Sequence, residues 1–453
     1  MKNPIGIQRI NNMMIRFSEL RKSERSNISI RLILLAVLVL INIGVSKAVP
    51  SYARQTGMSC SACHFSFPEL NSFGRQFKMN GYVLTGMTTI ESREDSSSST
   101  RLKLLSNLPL SAMVQSSFTH IAKDVPETQN NSVTLPQQLS VFYAGQVTPH
   151  IGTFIQMTYD GHSFGMDNVD IRYTNQAKIA GRNLVYGLTL NNNPAVQDVW
   201  NTSPAWRFPS AGSDAAKTPS KSTIMENLGS QVAGLGAYTL FNNLLFAEIT
   251  VYRSAQQGAP NPADVTNEMV VKGVAPYWRL ALQHQWYNNY IELGAFGIEP
   301  NLFNSGISGN IDKIKDLGID FQYEHNLAFG AVTFHSSLIQ EKESREILRK
   351  IYNKYYFNSL KVDANLYLKN GLGFTGGYFY TVGTRDTRID SWSKKPDSNG
   401  FIGQIEYLPW YNTKFALQYV AYNKFDGTVL NYDSEMRNAL DNNTLYLVVW
   451  LNF

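Results

Sequence analysis

The stretch Leu360-Lys361-Val362-Asp363-Ala364-Asn365-Leu366-Tyr367-Leu368 carries an apolar side chain at every even position and a more polar one at every odd position. A period of two sorts side chains onto the two faces of a β-strand, whereas a helix would scatter both sets around its axis. The same alternation sets Leu317, Ile319, Phe321 and Tyr323 against Gly318, Asp320, Gln322 and Glu324. It sets Val169, Ile171 and Tyr173 against Asp170, Arg172 and Thr174, and it closes the chain on Leu445, Leu447, Val449, Leu451 and Phe453. Sixteen segments of this kind are expected, near 109–119, 138–147, 150–159, 167–176, 184–191, 231–241, 243–253, 273–284, 288–298, 316–325, 327–338, 356–368, 371–383, 400–408, 412–423 and 443–453.

The connections between them alternate in length. Long ones (120–137, 192–230, 254–272, 299–315, 339–355, 384–399, 424–442) alternate with short ones such as Thr148-Pro149, Asn242, Tyr287, Asn326 and Lys369-Asn370. An even strand number with short turns at one end and long loops at the other describes an outer-membrane β-barrel. A soluble sandwich or propeller is the alternative. Against it stand strands of bilayer-crossing length, aromatic residues near their ends and a polar face suited to a wet lumen. The fold class expected is therefore all-β, an antiparallel transmembrane barrel of about 16 strands. Past residue 100 the only stretch with a helical look is the charged run Gln340–Lys350.

Ahead of the barrel lies a different kind of sequence. Cys60-Ser61-Ala62-Cys63-His64 uses both cysteines of the chain. Two thiols at this spacing reach the two vinyl groups of a haem, and the next histidine falls against the iron. A structural zinc site would need further ligands, and no second Cys/His pair follows. The expected cofactor is one covalently bound haem c, attached at Cys60 and Cys63 with His64 as proximal ligand. Pro68 and Gly81 bracket an expected helix with Leu70, Phe73 and Phe77 on one face, packed on the porphyrin, and Gly74 beside them leaving room for close approach. Arg75 and Lys78 face either the propionates or solvent. The distal ligand is left between Met87 and Met79, with a barrel histidine such as His120 as a third option, while Met58 lies too near Cys60 in the chain.

Leu32–Val45 is apolar apart from Asn42, follows Arg21, Lys22, Arg25 and Arg31, and precedes Ser46-Lys47-Ala48. That pattern is a secretory signal peptide cleaved after Ala48. The formal charge of +5 includes eight Lys/Arg and two Asp/Glu within residues 1–48, so the exported chain sits at about −1 and gives no argument for a nucleic-acid partner. Three regions follow: residues 1–48 as signal peptide, 49–100 as a monohaem cytochrome domain ending in the polar linker 91–100, and 101–453 as barrel.

The run Pro50–His64, continued by Phe67-Pro68-Glu69-Leu70 and Phe73-Gly74-Arg75-Gln76-Phe77-Lys78, resembles the fused monohaem cytochrome–porins of Fe(II)-oxidising bacteria. Asn191–Pro194, Asp198, Trp200-Asn201-Thr202 and Pro204-Ala205-Trp206 are similar to a segment of that family's barrel. The resemblance implies an outer-membrane electron-transfer protein of the iron:cytochrome c oxidoreductase type. Its donor would be extracellular Fe(II), its acceptor a periplasmic cytochrome c or similar carrier, and its surroundings outer-membrane lipid. Two other functions remain beside it: a conduit for another donor or for outward transfer, and a diffusion porin with a structural haem plug. The cytochrome is expected inside the lumen, with the loop 192–230 as a lid on the outer side whose acids offer oxygen ligands to iron.

Overall fold

The structure, a computed structural model, describes residues 51–84, 109–159, 161, 163–203, 207–255, 269–305, 308–348 and 351–453. The expected signal peptide and the linker 91–100 lie outside the described residues. The described residues belong to one compact unit.

Sixteen long strands make the wall: β1 Leu110–Ile121, β2 Ser132–Thr148, β3 Ile151–Tyr159, β4 Phe164–Ile179, β5 Arg182–Asn191, β6 Val232–Phe241, β7 Leu245–Ser254 and β8 Ala275–Trp286 form the first half. The second half is β9 Asn289–Ile298, β10 Ser308–Leu327, β11 Gly330–Leu348, β12 Ile351–Leu368, β13 Leu372–Gly383, β14 Ser398–Trp410, β15 Thr413–Lys424 and β16 Thr444–Asn452. Each pairs antiparallel with the next, and β16 returns to β1 with Thr444 opposite Ile121 and Asn452 opposite Met113. Closure leaves no edge, which is what a sheet in lipid requires. Val270–Val271 and Asn301–Ser305 form a small extra ladder. This is the porin-like, closed antiparallel barrel that the alternation predicts.

The faces are inverted relative to a soluble protein. Ile249, Leu235, Leu293 and Ile319 are more than half exposed on the outside, while their neighbours Glu248, Thr250, Glu292 and Asp320 are buried within. Polar-in and apolar-out alternation fits a lipid-facing wall around a polar lumen.

One expectation fails in the second half. Gln340–Leu348 is not helical but continues β11, β12 starts at Ile351 rather than 356, so the expected long loop 339–355 is mostly strand, and β10 starts at Ser308 rather than near 316. In a strand, Glu341 and Glu343 share the inner face. There Glu341 accepts from the Ile224 N–H at 2.7 Å and Glu343 from Arg345 at 2.8 Å. Those partners reward the period of two over the helical one.

Inside the barrel sit residues 51–84, with helix α1 (Ser51–Thr56), a small hairpin of His64–Ser66 against Glu69–Leu70, and helix α2 (Ser72–Met79). So short a segment cannot bury a core of its own. The wall supplies what is missing. Gln55 donates to the Ala144 carbonyl at 2.9 Å, the Tyr82 hydroxyl to Asp170 at 2.6 Å, and the Tyr367 hydroxyl to Glu69 at 2.6 Å. Phe67 packs edge-on against Trp450 at 5.3 Å. Because Ala144, Trp450 and Tyr367 lie close to the short turns, the plug occupies the short-turn half of the lumen.

Candidate functional site

The plug and the wall enclose a cleft of about 440 Å³, within the range of small-molecule and cofactor sites. Cys60, Cys63 and His64 line it together, as do Phe73, Phe77 and Leu70, so the structure gathers the expected attachment motif and the expected apolar face in one place. Both thiols are free and half-buried. Burial pushes the Cys63 thiol up to about 11, which keeps it protonated at neutral pH.

Local geometry explains the arrangement. Asn71 caps α2 by accepting from the Gly74 N–H at 2.9 Å, and its amide donates to the Ala62 carbonyl at 3.0 Å, tying the helix start to the cysteine turn. Pro68 does not open the helix as expected. It sits in the turn of the small hairpin, four residues before Ser72, because the Asn71 cap starts the helix later.

His64 is buried. Burial drives its imidazole down to about 4 against the opposing pull of the Glu69 and Pro68 carbonyls, so the ring is neutral. Its Nδ1 lies 3.2 Å from the Glu69 carbonyl, which makes Nδ1 the protonated nitrogen and leaves Nε2 with a free lone pair. That is the tautomer a metal-ligating histidine needs, fixed by a partner outside the ligand set. Two half-buried thiols, a neutral histidine held through Nδ1 and an aromatic lining all fit a covalently attached haem.

Other expected residues fall elsewhere. Arg75 does not line the cleft and so does not face a propionate. It is fully buried, ion-paired to Glu324 of β10, and lies 4.1 Å over the Tyr290 ring. It fastens α2 to the wall because a buried guanidinium is tolerated only with a charge partner. Lys78 does line the cleft, but its ammonium donates to the carbonyls of Val196 and of Asp198, the latter at 3.0 Å. Met79 is absent from the lining and packs with Val199, Trp200, Tyr238 and Phe246, which turns it away from a ligand's place. His120 pairs with Asn131 at 2.9 Å on an exposed strand end and does not line the cleft. Met87 lies outside the described residues. Among the described residues, the sulfurs that line the cleft besides the cysteines belong to Met58 and Met113. Met113 was not foreseen. The signal was present, since it is an apolar residue heading the otherwise polar inward run Gln115, Ser117, Thr119 before Ile121.

The loop after β5 is not an outer lid. Asn193–Ser203 turns into the lumen and is buried, with Asn193, Val196 and Asn201 lining the cleft. Asp198 is no open iron ligand. Burial would raise its carboxyl, but the Arg279 guanidinium and the N–H groups of Trp200 and Ser203 outweigh that and hold it at about 2. Trp200 is fully buried and donates to the Tyr290 hydroxyl at 2.7 Å, and Trp206 lies outside the described residues.

No family model matches the chain, and no curated protein matches it. Among solved structures it is similar to the outer membrane channel DcaP of Acinetobacter baumannii, at 9% identity over 77% of this chain and 97% of that chain, with a TM-score of 0.45. It is similar to the anion-selective porin from Comamonas acidovorans at 11% identity, 76% and 98% coverage and a TM-score of 0.44. For outer-membrane expressed OmpT of Vibrio cholerae the figures are 8% identity, 76% and 97% coverage and a TM-score of 0.43.

Proposed function

We propose that this chain is an outer-membrane cytochrome of porin type that oxidises extracellular Fe(II) and passes single electrons to a periplasmic carrier. The observation that carries the reading is the placing of Cys60, Cys63 and His64 on one cleft inside a closed barrel. A haem held there supplies a one-electron Fe(III)/Fe(II) couple. Cys60 and Cys63 would tether it, and the Nε2 of His64 would ligate it. Leu70, Phe73 and Phe77 would exclude water from its face, which would favour the less charged reduced state.

The wall isolates that site from lipid, and the plug stands where solute would otherwise diffuse. Short turns face the periplasm in barrels of this kind, so one end of the cleft lies on the side from which a soluble acceptor approaches. On that side the lining ends at Trp450 and Asn452 of the last strand.

The test is anaerobic addition of ferrous salt to purified, haem-loaded protein while the α-band is followed. Reduction is expected. A haem that dithionite reduces and Fe(II) does not, at acid and at neutral pH, would sink the reading and leave a plugged diffusion porin or a conduit for another donor.

A further inference from the structure

The periodicity of β4 breaks at one residue. Gln156 of β3 faces Asn168 and Met157 faces Met166, so Asp167 is an extra residue with no partner opposite. A bulge of this kind re-aims a side chain. Asp167 would otherwise point at lipid; here its carboxylate accepts from the inward Thr158 hydroxyl at 3.2 Å and lines the cleft. The bulge is held from both feet of the inward loop. Asn192 and Ser230 donate to the Asp167 carbonyl at 3.3 Å and 2.6 Å.

Three further facts set this carboxylate apart. Among the described residues it is the single acid that lines the cleft, and among them its side-chain partner is the Thr158 hydroxyl rather than a Lys or Arg. Asp198 and Asp170, by contrast, are spent on Arg279 and Arg172. Its neighbours along the cleft, Gln138, Gln156, Asn168 and Asn193, are neutral amides. And it lies three residues from the start of β4 at Phe164, toward the long-loop end, while His64 and Trp450 lie toward the other.

We infer that Asp167 is the point at which a divalent metal ion from outside is held in the cleft that Cys60, Cys63 and His64 also line, its carboxylate oxygen taking a ferrous ion. This rests on the proposed function and names its substrate site. The balance would be one electron lost by the Fe(II) substrate, which becomes Fe(III), and one gained by the ferric haem that Cys60, Cys63 and His64 would hold; no covalent bond of the chain would change, and protons shed by water on Fe(III) would pass to solvent. The trivalent product then leaves through the long-loop end. A single unpaired carboxylate suits that turnover, since a full acidic cage would retain Fe(III).

The experiment uses the haem-loaded full chain and its Asp167→Asn and Asp167→Glu variants, with two readouts. Mn(II), which does not reduce the haem, is titrated and followed by its EPR signal. Haem reduction is followed by stopped flow with Fe(II) and, separately, with dithionite. Asp167→Asn is expected to weaken Mn(II) binding and slow reduction by Fe(II) about tenfold, the low end of local charge effects on encounter, with the dithionite rate unchanged. Asp167→Glu is expected to restore both. Wild-type Mn(II) binding and wild-type Fe(II) rates in Asp167→Asn would overturn the site and leave the proposed function standing. A wild-type haem that dithionite reduces and Fe(II) does not would overturn the function, and the Mn(II) titration would then still decide whether Asp167 holds a cation. Should Asp167→Asn fail to assemble, an Asp167→Glu protein without an Mn(II) signal change would overturn the site.

Discussion

A methyl group added at Gly74 would meet the Cys63 carbonyl oxygen at 2.1 Å, with backbone on both sides and nothing flexible to yield. The contact that puts α2 against the cysteine turn therefore exists only because residue 74 has no side chain. Gly74→Ala should cost about 1–3 kcal/mol of overpacking, and it should lower covalent haem per chain, measured by pyridine haemochrome assay. Met79→Leu tests the opposite kind of position. It nearly conserves volume in the Trp200 cluster, so a cost under about 1.5 kcal/mol and an unchanged haem spectrum are expected. A lost sulfur–iron band in that variant would return Met79 to the distal position.

At the scale of elements, two attachments hold the interior together, and they respond to different probes. Arg75 joins α2 to β10 through Glu324. Arg75→Met leaves that carboxylate buried alone, at a cost of about 3–5 kcal/mol. Faster proteolysis of the plug and higher single-channel conductance in planar bilayers are expected, and adding Glu324→Gln should recover part of the loss. The inward loop is held by Asp198 and by Glu226, whose carboxyl is kept at about 2 by Lys361 and Arg207 in spite of burial. Both groups sit below their unfolded values, so their contribution is full above about pH 4.5 and is lost as pH falls through about 2. Each shift is worth about 2–3 kcal/mol. Hydrogen exchange at Ala195–Ser203 should thus stay slow down to about pH 4 and quicken between pH 4 and 2. Quickening that begins at pH 6 would show that these carboxyls are not the fastening.

Twelve of the sixteen strands were legible to within three residues because lipid on one side and a wet lumen on the other impose a strict period of two along the chain. Leu360–Leu368 and the Val169–Thr174 segment need no tertiary knowledge to be placed. The tall ends of β2, β10, β11 and β12 were hidden, since beyond the apolar band the outer face is free to be charged. The plug helix was legible in its apolar face but not in its start, which a single Asn71 cap decides. The roles of Arg75, Met79 and Asp198 were not legible at all. Each depends on a partner more than 80 residues away in the chain, in Glu324, Val185 or Arg279.

For the whole molecule, insertion is the central fact: residues near the start of the chain fill a cylinder whose seam is sewn by strands beginning at Leu110 and ending at Asn452. Gly152 in β3 shows how tight the fit is, since a Cβ there would stand 2.1 Å from the Gly81 carbonyl. Gly152→Val should therefore yield a folded barrel that has expelled its plug, seen as native strand content by circular dichroism together with increased solute flux in liposomes. Unchanged flux would show that the wall yields instead. The enclosure also dictates a calendar for biogenesis. Maturation enzymes that join thiols to vinyl groups are themselves proteins, too bulky to work down a corked tube. On the proposed reading the tetrapyrrole would have to be welded on while the polypeptide is still open, before the seam is stitched, and a molecule that closed early would be sealed without its prosthetic group.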